Sequence, residues 1–222
     1  MTTEITHVRV SASMTTIDAL LHDAGRTFAD EAGIELTNEP APLYRLLVLS
    51  TLLSRRVQSK LGTRACRELL DAGMGTPERM RDADWETRVR TLGRANYTGT
   101  EQTATALGDG AVLVLDEWGR DLRRMREAAD GDAEELAGFL TAFPRLGPVG
   151  ADIFTREVQA VWPEFRPHLD PKALAGAEKL GLPQDAAKLA EQVSGDDVAR
   201  LAAALVRADR DSDVREDVQE QS

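Results

Sequence analysis

Asp170, in the run EFRPHLDPKAL, lies just beyond a stretch that breaks one helical pattern and starts another. That pairing of a carboxylate with a Pro/Gly turn is where chemistry could reside. Leu136, Phe139, Leu140 and Phe143 recur at helical spacing, Pro144, Gly147, Pro148 and Gly150 interrupt it, and Phe154, Val158 and Val161 resume it. Two short amphipathic helices around a hairpin are therefore expected, with backbone rather than side chains at the tip. Gly147 and Gly150 allow another backbone or a phosphate to come close, and the free N–H groups from Gly150 to Ile153 suit an anion. A fixed carboxylate nearby can stabilise a developing positive charge or orient a water. An aspartate before a proline is also a common helix N-cap, and the two roles can coexist.

Other side chains add chemistry of lower specificity. Asp152 reads as a cap, or as a charge favouring the positive end of the second hairpin helix. His168 could assist protonation of a leaving group, and Lys172 is the amine nearest Asp170 in sequence. Tyr97 could stack on a base or line a pocket, and core packing accounts for it equally well. Arg123, Arg124 and Arg126 read as a solvated face. The GDG at Gly108 to Gly110 lacks the strand–loop–helix context of a phosphate loop. His7 and His168 make no metal-ligand spacing with an acidic partner, so no metal site is expected.

The string FPRLGPVGA resembles the helix-hairpin-helix of the endonuclease III-like (HhH-GPD) DNA glycosylases, whose pattern is L-P-G-[VI]-G-x-[K/x]-[TS/G]-A. Upstream, PLYRLLVLSTLLSRRVQSK resembles the helix that opens their helical barrel, and DWETRVRTLGRANYTGTEQTATAL a later barrel segment. HLDPKAL stands where the family carries its catalytic aspartate, which points to Asp170. The likeness runs from about Pro40 to Leu182. It implies an all-α, two-lobed fold: a helical barrel over 39–165 containing the hairpin at about 133–161, and a second lobe from 1–38 with 166–210. Double-stranded DNA is the implied partner. Contacts to it are implied at Arg145, Gly147, Val149 and Gly150, and at Arg55 and Arg56, where related enzymes place residues that enter the gap left by a flipped base. Tyr97, His168 and Lys172 are the candidate pocket residues.

Departures from the pattern narrow the chemistry. Bifunctional members carry a lysine two residues past the second hairpin glycine, where its amine attacks the sugar C1′. That position is Val149 here, and sliding the register so that Gly150 is the second glycine places Asp152 there. Neither supplies an amine, so a monofunctional enzyme without lyase activity is expected. Arg145 replaces the first hairpin glycine, either weakening the turn or adding a cation beside a phosphate. The family's iron–sulfur cluster needs four thiolates, and this chain has one cysteine, Cys66, which reads as a small buried hydrophobe. No cofactor is expected.

Composition fits an all-α chain, with 5% aromatic residues and no alternating run except HVRVSAS near the start. Helices are expected at 14–34, at 43–53 as a buried central element, at 57–72, 84–92, 99–118 and 122–129, then the hairpin, one after Asp170, and one or two over 184–210. DSDVREDVQEQS, at 211–222, reads as an acidic, disordered tail. No apolar run reaches membrane-spanning length and the start lacks a signal-like pattern, so a cytoplasmic protein free of the membrane is expected. The net charge of −11 divides as −5 over 1–40, −1 over 41–182 and −5 over 183–222. A near-neutral centre counts against tight DNA binding, which normally rests on several phosphate-neutralising cations. Three readings follow: a monofunctional glycosylase, a helix-hairpin-helix DNA-binding protein that has lost catalysis, and an interaction protein with acidic ends. The first is favoured because the aspartate is present. The oligomeric state is not legible from the sequence.

Overall fold

The structure, a computed structural model, describes residues 14–55 and 57–222. The HVRVSAS segment and Arg56 lie outside the described residues. Fourteen α-helices and no strand are found among the described residues.

Capping chemistry sets most of the helix starts. Thr15 caps α1 (Thr16–Ala24) and Thr27 caps α2 (Phe28–Glu31), so the single helix expected over 14–34 is divided in two. The break falls at Gly25, where a threonine hydroxyl two residues on captures the Asp30 N–H at 3.1 Å and restarts the chain. Next comes α3 (Pro40–Leu53), opening on a proline. Every residue of α3 from Leu46 to Leu53 is buried, and its Ser50 and Thr51 hydroxyls are satisfied by the carbonyls of Leu46 and Leu47, each at 2.9 Å. Around it stand α4 (Ser59–Asp71), α5 (Pro77–Asp82), α6 (Trp85–Arg94), α7 (Thr100–Glu117) and α8 (Arg123–Ala129). The short α5, capped by Thr76, is not legible in the apolar pattern because its buried residues are only Pro77 and Met80.

The hairpin helices are α9 (Ala133–Thr141) and α10 (Gly147–Val158). They pack on each other, and α10 also lies against α3. Asp170 caps α11 (Pro171–Lys179), followed by α12 (Ala186–Ala190), α13 (Val198–Arg210) and α14 (Ser212–Gln221). One lobe is formed by α3 to α10; α1, α11, α13 and α14 pack together as the other, and α10 meets α13 where they join.

One expectation is corrected here. The terminal acidic segment is not disordered: it forms α14, which packs on α1. Val214 and Val218, one turn apart, supply its apolar side, Val218 is fully buried, and Gln221 donates to Asp23 Oδ2 at 2.6 Å. Charge density masked a two-valine stripe that a partner helix covers. Among the described residues no helix is long and apolar enough to cross a membrane.

The tightest joint in the second lobe is between α11 and the alanine-rich α13. A Cβ at Gly176 would stand 1.9 Å from the Leu205 carbonyl oxygen, so the two backbones approach as only glycine allows. Gly176→Ala is expected to lose at least about 2 kcal/mol through overpacking. Gly138→Ala, in the exposed middle of α9 with nothing within 4 Å of a new Cβ, should gain about 1 kcal/mol. Urea unfolding of both variants measures the contrast.

Candidate active site

The hairpin turn places unusual backbone where the sequence pattern departs. Arg145 has φ of 66° and Gly147 of 59°, so Arg145 takes the left-handed conformation in which a glycine is at ease. Its carbonyl accepts from Ser54 Oγ at 3.3 Å, which ties the turn to the end of α3. Gly150 is held against the same point: a Cβ there would be 2.6 Å from Leu146 Cγ and 3.2 Å from Ser54 Cβ. No side chain caps α10, and because it begins at Gly147 the amides expected to be free at Gly150 to Ile153 lie inside the helix, the Gly150 N–H donating to the Leu146 carbonyl at 3.1 Å; with Pro148 lacking an N–H, the first-turn amides left for a ligand or water are those of Gly147 and Val149. Arg145, Pro148 and Val149 are exposed at this end, Val149 by 52%.

Beside the hairpin lies a cavity of about 360 Å³. Val149, Asp152 and Arg156 of α10 form one wall, Asp170 and Lys172 at the start of α11 another, and Phe28 contributes from α2. It adjoins a wider hollow of about 1000 Å³, whose lining contains the cations Arg55, Lys60, Lys172, Arg207 and Arg210 against the acids Glu31 and Asp211. A chain of net charge −11 thus gathers five cations against two acids around one opening.

Asp170 is 5% exposed and fully engaged on one side. Its Oδ1 accepts from the N–H groups of Lys172 and Ala173, each at 2.9 Å, and Oδ2 accepts from Arg156 Nη1. Burial pushes the carboxyl up, but Arg156 and the amides of Ala173 and Lys172 outweigh it and hold Asp170 below the usual carboxylate range. It is an ionised cap. Arg156 is itself 2% exposed, with its Nε 3.6 Å from Glu157 Oε1. Burial drives Glu157 the other way, above its ordinary value, despite Arg156 and a 2.9 Å bond from the Ala29 N–H. One cation therefore sits between two carboxyls that their surroundings shift in opposite directions. The Phe28 ring lies between two guanidiniums, Arg156 at 5.2 Å and Arg207 at 4.3 Å from its centroid.

The fates of the sequence candidates differ. Asp170, Val149 and Lys172 meet in the cavity, Gly147, Gly150 and Arg145 form the adjoining turn, and Arg55 lines the wider hollow. Tyr97 is corrected from pocket to core: it is 4% exposed, its hydroxyl donates to the Leu52 carbonyl at 2.8 Å, and burial pushes it up to about 12. His168 does not line the cavity, but its Nε2 lies 3.2 Å from Oδ1 of Asp152, which does. Asp152 is not the cap of α10, which begins five residues earlier at Gly147. Arg123 pairs with Asp121 at 2.7 Å and Arg126 with Glu164, facing a separate polar hollow. Arg156, Phe28 and Arg207 were not singled out in the sequence. The one available signal was the pair Arg156 and Glu157 set between Phe154 and Val158, charges on a helix whose neighbours are apolar.

A four-thiolate cluster does not fit this chain. Cys66 is wholly buried in α4, and burial pushes its thiol up to about 12. Among the described residues no group of three or more histidine, cysteine, aspartate or glutamate side chains is placed to hold a metal ion.

Asp170→Asn keeps the cap but leaves Arg156 buried and uncompensated, so a loss of about 3–5 kcal/mol is expected in urea unfolding at pH 7. Glu157→Gln, which removes a charge that burial disfavours and keeps an acceptor for the Ala29 N–H, should stay within about 1 kcal/mol of wild type. The depressed folded value of Asp170 means that its contribution is present above the unfolded value of about 3.9 and is lost as pH falls through the folded value. The raised value of Glu157 has the opposite sign: its contribution is present at low pH and lost as pH rises through the folded value. Stability measured from pH 3 to 7 should therefore fall less steeply on acidification in Asp170→Asn than in wild type.

No family model matches the chain, and no curated protein is similar enough to match it. Among solved structures it is similar to one described as a trapped endonuclease III–DNA covalent intermediate, an estranged-adenine complex, with a TM-score of 0.51 and 14% identity over 86% of this chain and 82% of that one. With the helix order already described, this similarity gives the chain the all-α fold of that structure.

Proposed function

We propose that this protein is a monofunctional DNA glycosylase, hydrolysing the N-glycosidic bond of a damaged or mispaired base in double-stranded DNA. The observation that carries the reading is an ionised carboxylate, Asp170, in the wall of a cavity that adjoins a cation-lined hollow and an uncapped hairpin helix. The similarity to a protein trapped on DNA supports the choice of ligand.

Each part has a physical task. Uncapped amides of α10, with Arg145 beside them, suit a phosphate, and Arg55, Lys60 and Arg210 suit the backbone on either side. A base taken out of the stack would enter the cavity between α10 and α11. Departure of that base builds positive charge on the sugar, and the Asp170 carboxylate lowers the energy of that charge in a site of low exposure. Val149 presents methyl groups where a lyase would present an amine, and the Lys172 ammonium stands 3.8 Å from Asp209 Oδ2. Attack on the sugar therefore falls to water. One observation favours a second reading, DNA binding without catalysis: Arg156 already neutralises Asp170.

The deciding experiment incubates wild type and Asp170→Asn with duplexes carrying single lesions (uracil, alkylated purines, 8-oxoguanine mispairs, oxidised pyrimidines), each run with and without alkali. Breaks that appear only after alkali, only with wild type, while Asp170→Asn still folds and binds duplex, are the expected result. A blank panel with measurable binding supports the second reading. The same assay tests the position of Val149. Val149→Lys should form a borohydride-trappable adduct with abasic DNA and break the strand without alkali, whereas Val149→Met should do neither. An untrappable Val149→Lys would place the sugar elsewhere in the cleft.

A further inference from the structure

Asp170 lines the cavity with both its oxygens already bonded, which makes it a poor acceptor for a proton from the attacking water. Both Asp170 oxygens are held from inside the protein, one by two amides and one by the buried Arg156. Such a group can stabilise charge, but taking a proton would break the ion pair that keeps Arg156 compensated. A second carboxylate shares the cavity. Asp152 stands one turn before Arg156 on α10, so both project from the same face of that helix toward the cavity. Its side chain is 39% exposed, and its Oδ1 faces His168 Nε2 at 3.2 Å. Among the described residues no donor holds its Oδ2.

His168 is held with unusual care for a residue in a loop. Its N–H donates to Gln159 Oε1 at 2.9 Å, and its carbonyl accepts from Gln159 Nε2 at 2.8 Å, so one fully buried glutamine grips both sides of the backbone. Arg166 in turn donates to the Gln159 and Ala160 carbonyls at 2.6 and 2.9 Å. That grip fixes the His168 backbone and sets its ring beside Asp152, with Nε2 3.2 Å from Oδ1 and in no hydrogen bond. An aspartate that serves only to cap a helix or to solvate a surface requires no such support.

Building on the glycosylase reading, we propose that Asp152 is a catalytic residue that positions and deprotonates the hydrolytic water, that His168 is its positioning residue, and that Asp170 acts as a fixed counter-charge. The C1′–N bond breaks with its electron pair passing to the base. Water oxygen bonds to C1′, and the proton it loses goes to Asp152 and then to the departing base nitrogen. The products are free base and an abasic deoxyribose, and Asp152 returns to its ionised form. No oxidant, metal or other co-reactant enters this balance.

The test is single-turnover base release, on whichever lesion duplex wild type processes, with duplex affinity measured in parallel. Asp152→Asn should lower the rate about 100-fold with affinity unchanged. His168→Ala should lower it about 10-fold, and His168→Gln, whose amide can reach the same place beside Asp152, should recover most of that loss. A wild type active on some lesion, with Asp152→Asn at full rate, overturns this proposal and leaves the glycosylase reading intact. Equal loss in His168→Ala and His168→Gln, or loss that follows weakened binding, also overturns it. A wild type that releases no base from any duplex removes the glycosylase reading itself, and the proposal with it. Because Asp152 is partly exposed and makes no buried ion pair, its variant is expected to fold as wild type does, which circular dichroism checks.

Discussion

The buried ion pair between Arg156 and Asp170 is the contact on which the cleft depends. Arg156 belongs to the hairpin helix and Asp170 to the start of α11, so the bond joins the element that would hold phosphate to the element that would meet sugar. Neither charge has water to turn to, and removing either partner leaves the other stranded at a cost of several kcal/mol. Around the pair, Glu157 receives the Ala29 N–H and Phe28 lies between Arg156 and Arg207. Three elements distant in sequence, α2, α10 and α13, are thereby fixed to one another at the base of the cavity. A site built this way is preorganised, because its charges are already oriented before any ligand arrives.

The same economy of buried charge sets the two carboxylates of the cavity apart. Asp170 is made reliably anionic by partners that also occupy its oxygens. Asp152, one turn from Arg156 on α10, is less buried and also lines the cavity. Environments that separate two like groups in this manner are how a single site assigns different roles to the same side-chain type. The hairpin follows a related logic. Arg145 accepts a left-handed backbone, and the strain of about 1–2 kcal/mol that this implies is borne by a turn bonded to α3 through Ser54. A cation is retained at the tip in exchange.

Net charge is a poor guide to this molecule because folding redistributes it. The acidic ends suggest a protein that repels DNA, yet Arg207 and Arg210 come from the acidic C-terminal segment and join Arg55 and Lys60 around one hollow. Many of the acids lie elsewhere: Asp84, Asp132 and Asp185 cap helices, and Asp121 and Glu164 neutralise Arg123 and Arg126 on another face. Local potential, not the sum, decides what an opening attracts.

Local sequence alone determined the hairpin, its helices, the capping position of Asp170 and the buried character of α3, since each depends on residues within a few turns of one another. Periodicity, proline and glycine placement and cap residues encode these directly. What the sequence left undecided depends on contacts between residues far apart. The segment 211–222 reads as an acidic, disordered tail, but Val214 and Val218 find a partner helix only after α1 and α13 assemble. Tyr97 reads equally as a pocket or a core residue, and the Leu52 carbonyl, 45 residues away, settles it as core. Arg156 carries no motif, and its role exists only because folding brings Asp170 and Phe28 to it. Short-range patterns specify elements because backbone geometry is local, whereas burial, and with it the strength of every charge in the site, is a property of the assembled whole.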